Sequence, residues 1–562
     1  MKTRNVLFSV YGLVWVLICG CTPSGHQQAV FRSVIYQGMD EWFEKAIDPH
    51  TEFFNPIVSG FYPDPSICRK GEDYYMVHSS FSYYPGVPIL HSRDLVHWQQ
   101  IGHVLNRPSQ LQLDNIRLSG GIYAPDISYN EQDQTFYMIT TCVDGIGNFV
   151  VKCKDPHAQS WSDPILLPGV RGIDPAFFFD EDGKAYIIHN DGPAGEAEYD
   201  GHRAIWLHEY DPETDETFGE RTLLIDGGVD KSKKPIWIEG PHIYKINGTY
   251  YLMAAEGGTG PDHSEVIFTA DHVKGPYTPV KENPILTQRD LPEDRPEKVT
   301  SVGHADLVQT HAGDWYAVFL GCRPYQGDMY NTGRETFLLP VEWKNDVPVI
   351  LKHGKALPTV VSAPHWKPDT TGISYTPFTG NFTWTDPFTS PTLDQEWIFI
   401  RTPEEGWWQT GQGELHLTPS ERRITEVTSP AFIGRRQQHT SFSFSVEIDF
   451  KPQNEKEEAG IVCYQNEKNL IAFTQTLRNG SPAVKVTSVV DGVAQEAGYY
   501  PVEKAQIPVH LKVDGVAGSY SFHMATERDH WIPVAESVDA THLSTHKAGG
   551  FTGCILGLYT CK

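Results

Sequence analysis

One phrase recurs five times in this chain: an acidic residue or histidine, a short β-like run, a turn and an aromatic strand. The copies are DPSICRKGEDYYMV from Asp64, DISYNEQDQTFYMI from Asp126, DPAFFFDEDGKAYII from Asp174, EGPHIYKINGTYYLM from Glu239 and HADLVQTHAGDWYAV from His304. Their first residues lie 62, 48, 65 and 65 positions apart. A tyrosine follows each opening residue by 11 or 12 positions, at Tyr75, Tyr137, Tyr186, Tyr251 and Tyr316. Hairpins repeated at this period predict a β-propeller with one four-stranded sheet per blade. Radial packing brings equivalent positions together around an axis. If the opening residues lie on the inner strands, three Asp, one Glu and one His converge on a single pocket.

The rest of the chain limits what such a pocket can serve. A length of 562 residues calls for two domains. Aromatics make up 12% of the residues, with 49 Gly and 40 Pro, as expected for a β- and turn-rich globular chain. The formal charge of −26 argues against nucleic acid or an anionic polymer as partner, since phosphates and uronates are repelled. A neutral substrate suits it better. Beyond Cys21 there are seven cysteines with no CxxC spacing, so neither a disulfide framework nor a zinc site is indicated. Cys142 and Cys153 flank a Gly-rich turn and are candidates to face each other across a hairpin.

Lys2 and Arg4 precede an apolar run from Val6 to Ile18, placed like a signal-peptide core and short for a bilayer span. The run ends in Leu17-Ile18-Cys19-Gly20-Cys21, which resembles a bacterial lipobox. Residues 1–21 therefore read as a lipoprotein signal peptide, and 22–50 as a tether. Lipid attachment at Cys21 would be the sole link to a membrane, placing the protein in the bacterial cell envelope, periplasmic or at the cell surface. The propeller is expected over 51–350 and a proline-bearing linker over 351–385. From Asp386 to Lys562, short alternating strands such as SFSFSVEIDF from Ser441 predict a two-sheet β-sandwich.

Asp before Pro commonly just initiates a turn. Asp64, Asp174 and Glu239 go beyond that, because they share a repeat phase and sit among apolar residues, in GFYPDPSI, RGIDPAFFF and IWIEGPHIY. Burial raises carboxyl pKa values, and glycoside hydrolysis needs carboxyl groups in different protonation states at one pocket. NPIVSGFYPDPSIC, GIDPAF and EGPHIY resemble three motifs of glycoside hydrolase family 43, and the likeness runs from about Asn55 to Trp343. The C-terminal part is similar to the concanavalin A-like sandwich of β-xylosidase-type members.

The resemblance implies an all-β chain, a five-bladed propeller followed by that sandwich, which cleaves β-D-xylosyl or α-L-arabinofuranosyl linkages with inversion. By position it makes Asp64 the general base, Glu239 the general acid and Asp174 the carboxylate that orients the acid. An inverting pair leaves room for water, so the Asp64 and Glu239 carboxyls are expected roughly 6.5–9.5 Å apart. Arg334 matches an arginine that bonds sugar hydroxyls, and the alternative is a surface ion pair. Phe81 matches an aromatic wall of the sugar pocket, or is simply core. His304 matches an axial histidine that in some relatives helps bind calcium or an ordered water; one His does not make a metal site, and a core histidine is the alternative. Asp126 shares the repeat phase but reads as structural. Tyr123 stands where many members have tryptophan, which alters the pocket's width. Phe551, on a sandwich loop, would cap the pocket and restrict attack to chain ends.

The expected activity is thus an inverting exo-glycosidase on hemicellulose-type oligosaccharides or polysaccharides from plant cell walls. No organic cofactor is called for. The alternative from another class is a non-catalytic propeller that captures sugars at the cell surface. An invertase-like enzyme would show Asn-Asp-Pro-Asn where this chain has YPDPS.

Overall fold

The computed structural model describes residues 28–371, 377–503 and 508–562. The signal segment and Cys21 lie outside them. The chain is almost wholly β: a five-bladed propeller and a β-sandwich, with one four-residue α-helix, Thr545–Ala548, among the described residues. No described helix is long and apolar enough to cross a membrane.

Blade 1 is a four-stranded sheet of Ser66–Lys70, Asp73–Val77, Gly86–Ser92 and Gln99–Leu105. Blades 2 to 5 open with the inner strands Asp126–Asn130, Ile173–Phe179, Glu239–Ile246 and Thr300–Gln309. Each continues outward through antiparallel hairpins. The tyrosine-bearing second strands are buried on both faces, as expected where each blade is covered by its neighbours: Tyr137, Met138 and Ile139 are all 1% exposed or less. That explains why these segments read as near-continuous apolar runs.

The sandwich holds more than residues 386–562. Ala29–Gly38, expected as tether, is an interior strand of one sandwich sheet, between Ser441–Asp449 on one side and Glu414–Leu417 and Thr383–Asp386 on the other. The described chain therefore runs first through the sandwich, crosses to build the propeller, and returns. A bulge hid this strand. The register slips between Arg32 and Ile35, with Ser33 at φ 50°, so the buried positions 29, 31, 34 and 36 break strict alternation. The expected linker also carries structure, since Val360–Ser362 pairs with Glu52–Phe54. Cys142 and Cys153 do not face each other; they pair with Gly147 and Phe136 at opposite ends of their hairpin, and every described cysteine is free.

Phe31, Val34 and Tyr36 are fully buried, and each buried apolar side chain contributes about 1.5–3 kcal/mol. A chain beginning after Gly38 is therefore expected to be insoluble or to lose its cooperative thermal transition, whereas one beginning at Gln28 behaves as the full chain. Soluble yield and a melting curve check this.

The two domains are joined by more than contact. Tyr83–Tyr84, from a blade 1 loop, adds an edge strand to the second sandwich sheet by pairing with Phe399 and Ile400. The Arg323 guanidinium is buried between Glu335 of blade 5 (2.6 Å) and Asp40 of the lead-in (3.0 Å). Arg436 of the sandwich donates to the Phe61 carbonyl at 2.7 Å and lies over the Tyr62 ring. These sandwich contacts brace the segment that leads into Asp64.

Candidate active site

The strand register sorts the axial residues into two rings. Val77, Ile139, Ile188, Met253 and Val318 each stand two residues past the repeat's tyrosine, and opposite them lie Ser66, Asp126, Ala176, His242 and Asp306. Two residues earlier come Asp64, Ala124, Asp174 and His304, with Glu239 three before His242 because of a bulge. The first ring is thus Asp64, Ala124, Asp174, Glu239 and His304. Asp126 does not share its phase, and the blade 2 equivalent is Ala124. Counting from the tyrosine misleads because hairpin lengths differ: residues 71–72 link the first two strands of blade 1, but 131–134 link those of blade 2.

The first-ring residues leave the ladder at bulges. Register shifts fall between Ile173 and Ala176, Glu239 and His242, and Gly303 and Asp306, and Asp64, Asp174 and His304 all have φ of 52–53°. A left-handed backbone at a non-glycine residue costs about 1–3 kcal/mol and is held only where surrounding packing enforces it. Here it turns the side chains from the sheet into the axial pocket. In blade 4 the left-handed residue is Gly240 (φ 55°), where a Cβ would fall 2.8 Å from the His304 ring.

The pocket is a cavity of about 590 Å³. Asp64, Asp174, Glu239, His304, Phe81, Tyr123, Arg334 and Phe551, all expected from sequence, line it together. Asp64 accepts the Ser79 hydroxyl at 2.6 Å and the Arg334 guanidinium at 2.5 Å. Arg334 is therefore not a surface ion pair: it is the buried partner of Asp64 and lines the pocket. Phe81 stacks on Phe551 (centroids 5.9 Å apart) and meets Tyr123 at 5.3 Å, and Arg334 lies over both phenylalanine rings.

The sandwich supplies Phe551 through close backbone packing. The Phe551 N–H donates to the Ser119 hydroxyl at 3.0 Å, and the Cys554 N–H to the Asn331 carbonyl at 2.8 Å. Gly333 and Gly553 pass so closely that a Cβ on Gly333 would sit 2.9 Å from the Gly553 Cα. The loop bearing Arg334 and the loop bearing Phe551 thus hold each other in place.

Three carboxyl groups are buried here with different proton affinities. Burial, the largest influence, works to raise the Asp64 carboxyl, but the Arg334 charge and the Ser79 hydroxyl outweigh it and hold it below the ordinary carboxylate value. Burial and the Asp64 charge push Asp174 up to about 7, although the Gly240 N–H bonds it at 3.1 Å. Burial, then the charges of Asp174 and Asp64, push Glu239 well above the ordinary range, and no hydrogen-bond donor reaches its carboxyl among the described residues. One pocket thus holds a carboxyl biased toward the ionised form, Asp64, and one biased toward the protonated form, Glu239.

Several lining residues escaped the sequence reading. His263 is buried, with its Nδ1 3.0 Å from the Ser301 carbonyl, and burial lowers its pKa to about 4. Burial likewise lowers His304 to about 4. At the rim, the Arg203 guanidinium lies 4.2 Å from the centre of the Trp237 ring. Trp237 stands two residues before Glu239, and that spacing was the one available signal. Among the described residues, the group of His, Cys, Asp or Glu side chains with metal-ligand spacing is Asp126, His242 and Asp306, and it does not include His304.

Comparison with known proteins agrees with this architecture. The family profile described as Glycosyl hydrolases family 43 matches residues 53–348, and that of the Beta xylosidase C-terminal Concanavalin A-like domain matches residues 385–562. A xylosidase/arabinosidase of Butyrivibrio fibrisolvens is 37% identical over 513 residues, covering 90% of this chain and 95% of the relative. A non-reducing end alpha-L-arabinofuranosidase of Bacteroides ovatus is 37% identical over 535 residues, covering 92% and 93%. The crystal structure of a GH43_12 protein retrieved from capybara gut metagenome superposes with a TM-score of 0.88 at 42% identity, covering 95% of this chain and 99% of that one. With both profiles matched along nearly the whole described chain, the protein belongs to glycoside hydrolase family 43.

Proposed function

We propose that this hydrolase removes a terminal α-L-arabinofuranosyl or β-D-xylosyl unit from plant cell-wall oligosaccharides or polysaccharides, with inversion. The observation that carries the reading is the opposite bias of two buried carboxyls in one pocket: Asp64 held ionised by Arg334, and Glu239 held protonated by burial and Asp174. Asp64 takes a proton from water, whose oxygen bonds to the anomeric carbon. The bond to the leaving oxygen breaks on the opposite face, and Glu239 gives that oxygen its proton. Asp174 keeps Glu239 protonated by like-charge repulsion. No step calls for a metal or an organic cofactor.

The pocket's shape supports attack at chain ends. Its buried side is made of Phe81, His263, His304 and Arg334, whereas Arg117, Arg203, Trp237 and Thr259 form the more exposed rim. A sugar seated on the carboxyls meets this buried wall, so the remaining chain leaves across the rim. The names of two relatives, a xylosidase/arabinosidase and a non-reducing end alpha-L-arabinofuranosidase, support the same substrate class. Assay of p-nitrophenyl α-L-arabinofuranoside and β-D-xyloside in parallel should show turnover of at least one. Folded protein silent on both, and on arabinoxylan oligosaccharides, would favour the sugar-capture alternative.

The proton distribution predicts a pH profile. Rate is lost as pH falls through the Asp64 value, where the base becomes protonated, and as pH rises through the raised Glu239 value, where the acid loses its proton; Asp174, which ionises at about 7, is by then the negative neighbour that holds that value up. Asp174→Asn removes the negative neighbour, so Glu239 loses its proton at lower pH. The alkaline limb of kcat/KM should move toward acid by on the order of one unit. An unmoved or alkaline-shifted limb would contradict the role given to Asp174.

The LICGC run at residues 17–21 supports anchoring of the enzyme in the bacterial envelope by lipid on Cys21. Cys21→Ser should then shift the protein from the membrane to the soluble fraction of expressing cells.

A further inference from the structure

The second axial ring builds a site that the hydrolytic reaction does not use. Of its five members, Ser66, Asp126, His242 and Asp306 are polar, and all four are buried. One donor atom each from Asp126, His242 and Asp306 lies within 4.8 Å of the other two. They come from blades 2, 4 and 5, and together they line a separate cavity of about 240 Å³. A void of about 10 Å³, lined by Asp126, Asp174, His242 and His304 among others, lies between this cavity and the catalytic pocket.

The hydrogen bonding around the cluster is lopsided. Asp126 accepts from the Phe177 N–H (3.0 Å) and the Ser128 hydroxyl (3.0 Å). Asp306 accepts from the Ile67 N–H (2.8 Å) and the Tyr244 hydroxyl (2.6 Å). The Ser66 hydroxyl lies within reach of both, at 3.2 Å and 2.9 Å, but has one proton to give. Such donors fix the orientation of the two carboxyl groups. Yet neither carboxylate has a Lys or Arg ion-pair partner among the described residues.

His242 is the second, independent sign. Its side chain is nine-tenths buried, and neither ring nitrogen has a hydrogen-bond partner among the described residues. Its Nδ1 instead points between the two carboxylates, 3.7 Å from Asp126 Oδ1 and 3.9 Å from Asp306 Oδ1. These gaps are too long for hydrogen bonds. They are a few tenths of an ångström wider than the ~3.4 Å that separates tetrahedral ligand atoms about 2.1 Å from a shared ion.

We infer that Asp126, His242 and Asp306 bind one divalent first-row cation of the Zn²⁺ or Mn²⁺ type on the propeller axis, at the end opposite the catalytic pocket. Two carboxylate oxygens and an imidazole nitrogen suit such an ion better than Ca²⁺, which takes six to eight oxygens. The ion supplies the positive charge the two carboxylates lack, and it ties blade 2 to blades 4 and 5, which the Tyr244–Asp306 hydrogen bond already joins. Its role is to hold the ring of blades together, not to act on the glycosidic bond.

The test uses the full soluble chain after chelator treatment and dialysis. Calorimetric titration with Zn²⁺, and separately with Mn²⁺, should show one site for at least one of the two ions. Saturation should raise the thermal unfolding midpoint by a few degrees. His242→Gln and, independently, Asp306→Asn should each weaken binding at least tenfold and abolish the thermal shift; two variants are used in case one does not fold. His304→Gln should bind as the unsubstituted chain does. The proposal is overturned if neither ion binds the unsubstituted protein, or if binding survives in the folded His242 and Asp306 variants. Loss of binding in His304→Gln alone would overturn it too, since the ion would then sit in the catalytic pocket. None of these readouts depends on which glycoside the enzyme cleaves.

Discussion

Glu239→Gln is expected to cut kcat/KM on natural oligosaccharides by about 10²–10⁴, and on p-nitrophenyl glycosides of the same sugar by far less. The difference lies in the leaving group. A sugar hydroxyl departs poorly unless protonated as the bond breaks, whereas p-nitrophenolate departs without help. Glutamine has nearly the volume of glutamic acid and, like the protonated form this pocket favours, carries no charge. The fold and the neighbouring carboxyls should therefore be little disturbed, and the loss reports proton donation. Kinetics on one aryl glycoside and one oligosaccharide decide the matter. Equal losses on both would mean that Glu239 is not the proton donor.

Asp64→Asn should behave differently. Water must be activated whatever the leaving group, so both substrate types are expected to lose about 10²–10⁴ in kcat/KM. Stability also enters, because Arg334 is buried and Asp64 is its only carboxylate within salt-bridge distance among the described residues. Removing one partner of a buried ion pair costs about 3–5 kcal/mol. Asparagine keeps an oxygen for the guanidinium to bond, whereas alanine keeps none, so Asp64→Ala should melt well below Asp64→Asn. The two variants compared by activity and by melting separate the catalytic part of the effect from the structural part. A loss confined to the oligosaccharide would instead make Asp64 the acid.

How far the sequence revealed this site depended on how local each signal was. Asp64, Asp174 and Glu239 were readable because each opens an inner strand within an apolar phrase, and a propeller must bring such openings together. Asp126 was misphased because the tyrosine used as a ruler lies beyond a hairpin whose length varies between blades. With it went the second ring, since the equivalence of Ser66, Asp126, Ala176, His242 and Asp306 appears only in the strand register. The pairing of Arg334 with Asp64 spans 270 positions and leaves no trace in local pattern. Phe551 was reached through resemblance to similar two-domain proteins, and its contact with Ser119 spans 432 positions. The strand Ala29–Gly38 was missed for a local reason: the bulge at Ser33 breaks the period-2 pattern on which strand recognition rests.

The central claim is that water attacks from the face opposite the leaving group, driven by Asp64 and Glu239. The most direct test is ¹H NMR of the first sugar released, recorded before mutarotation, from whichever of the β-D-xyloside and α-L-arabinofuranoside is cleaved. The first product should carry the inverted anomeric configuration, α-xylose from the β-xyloside or β-arabinofuranose from the α-arabinofuranoside. A first product with the substrate's own configuration would mean a covalent intermediate and would contradict the account.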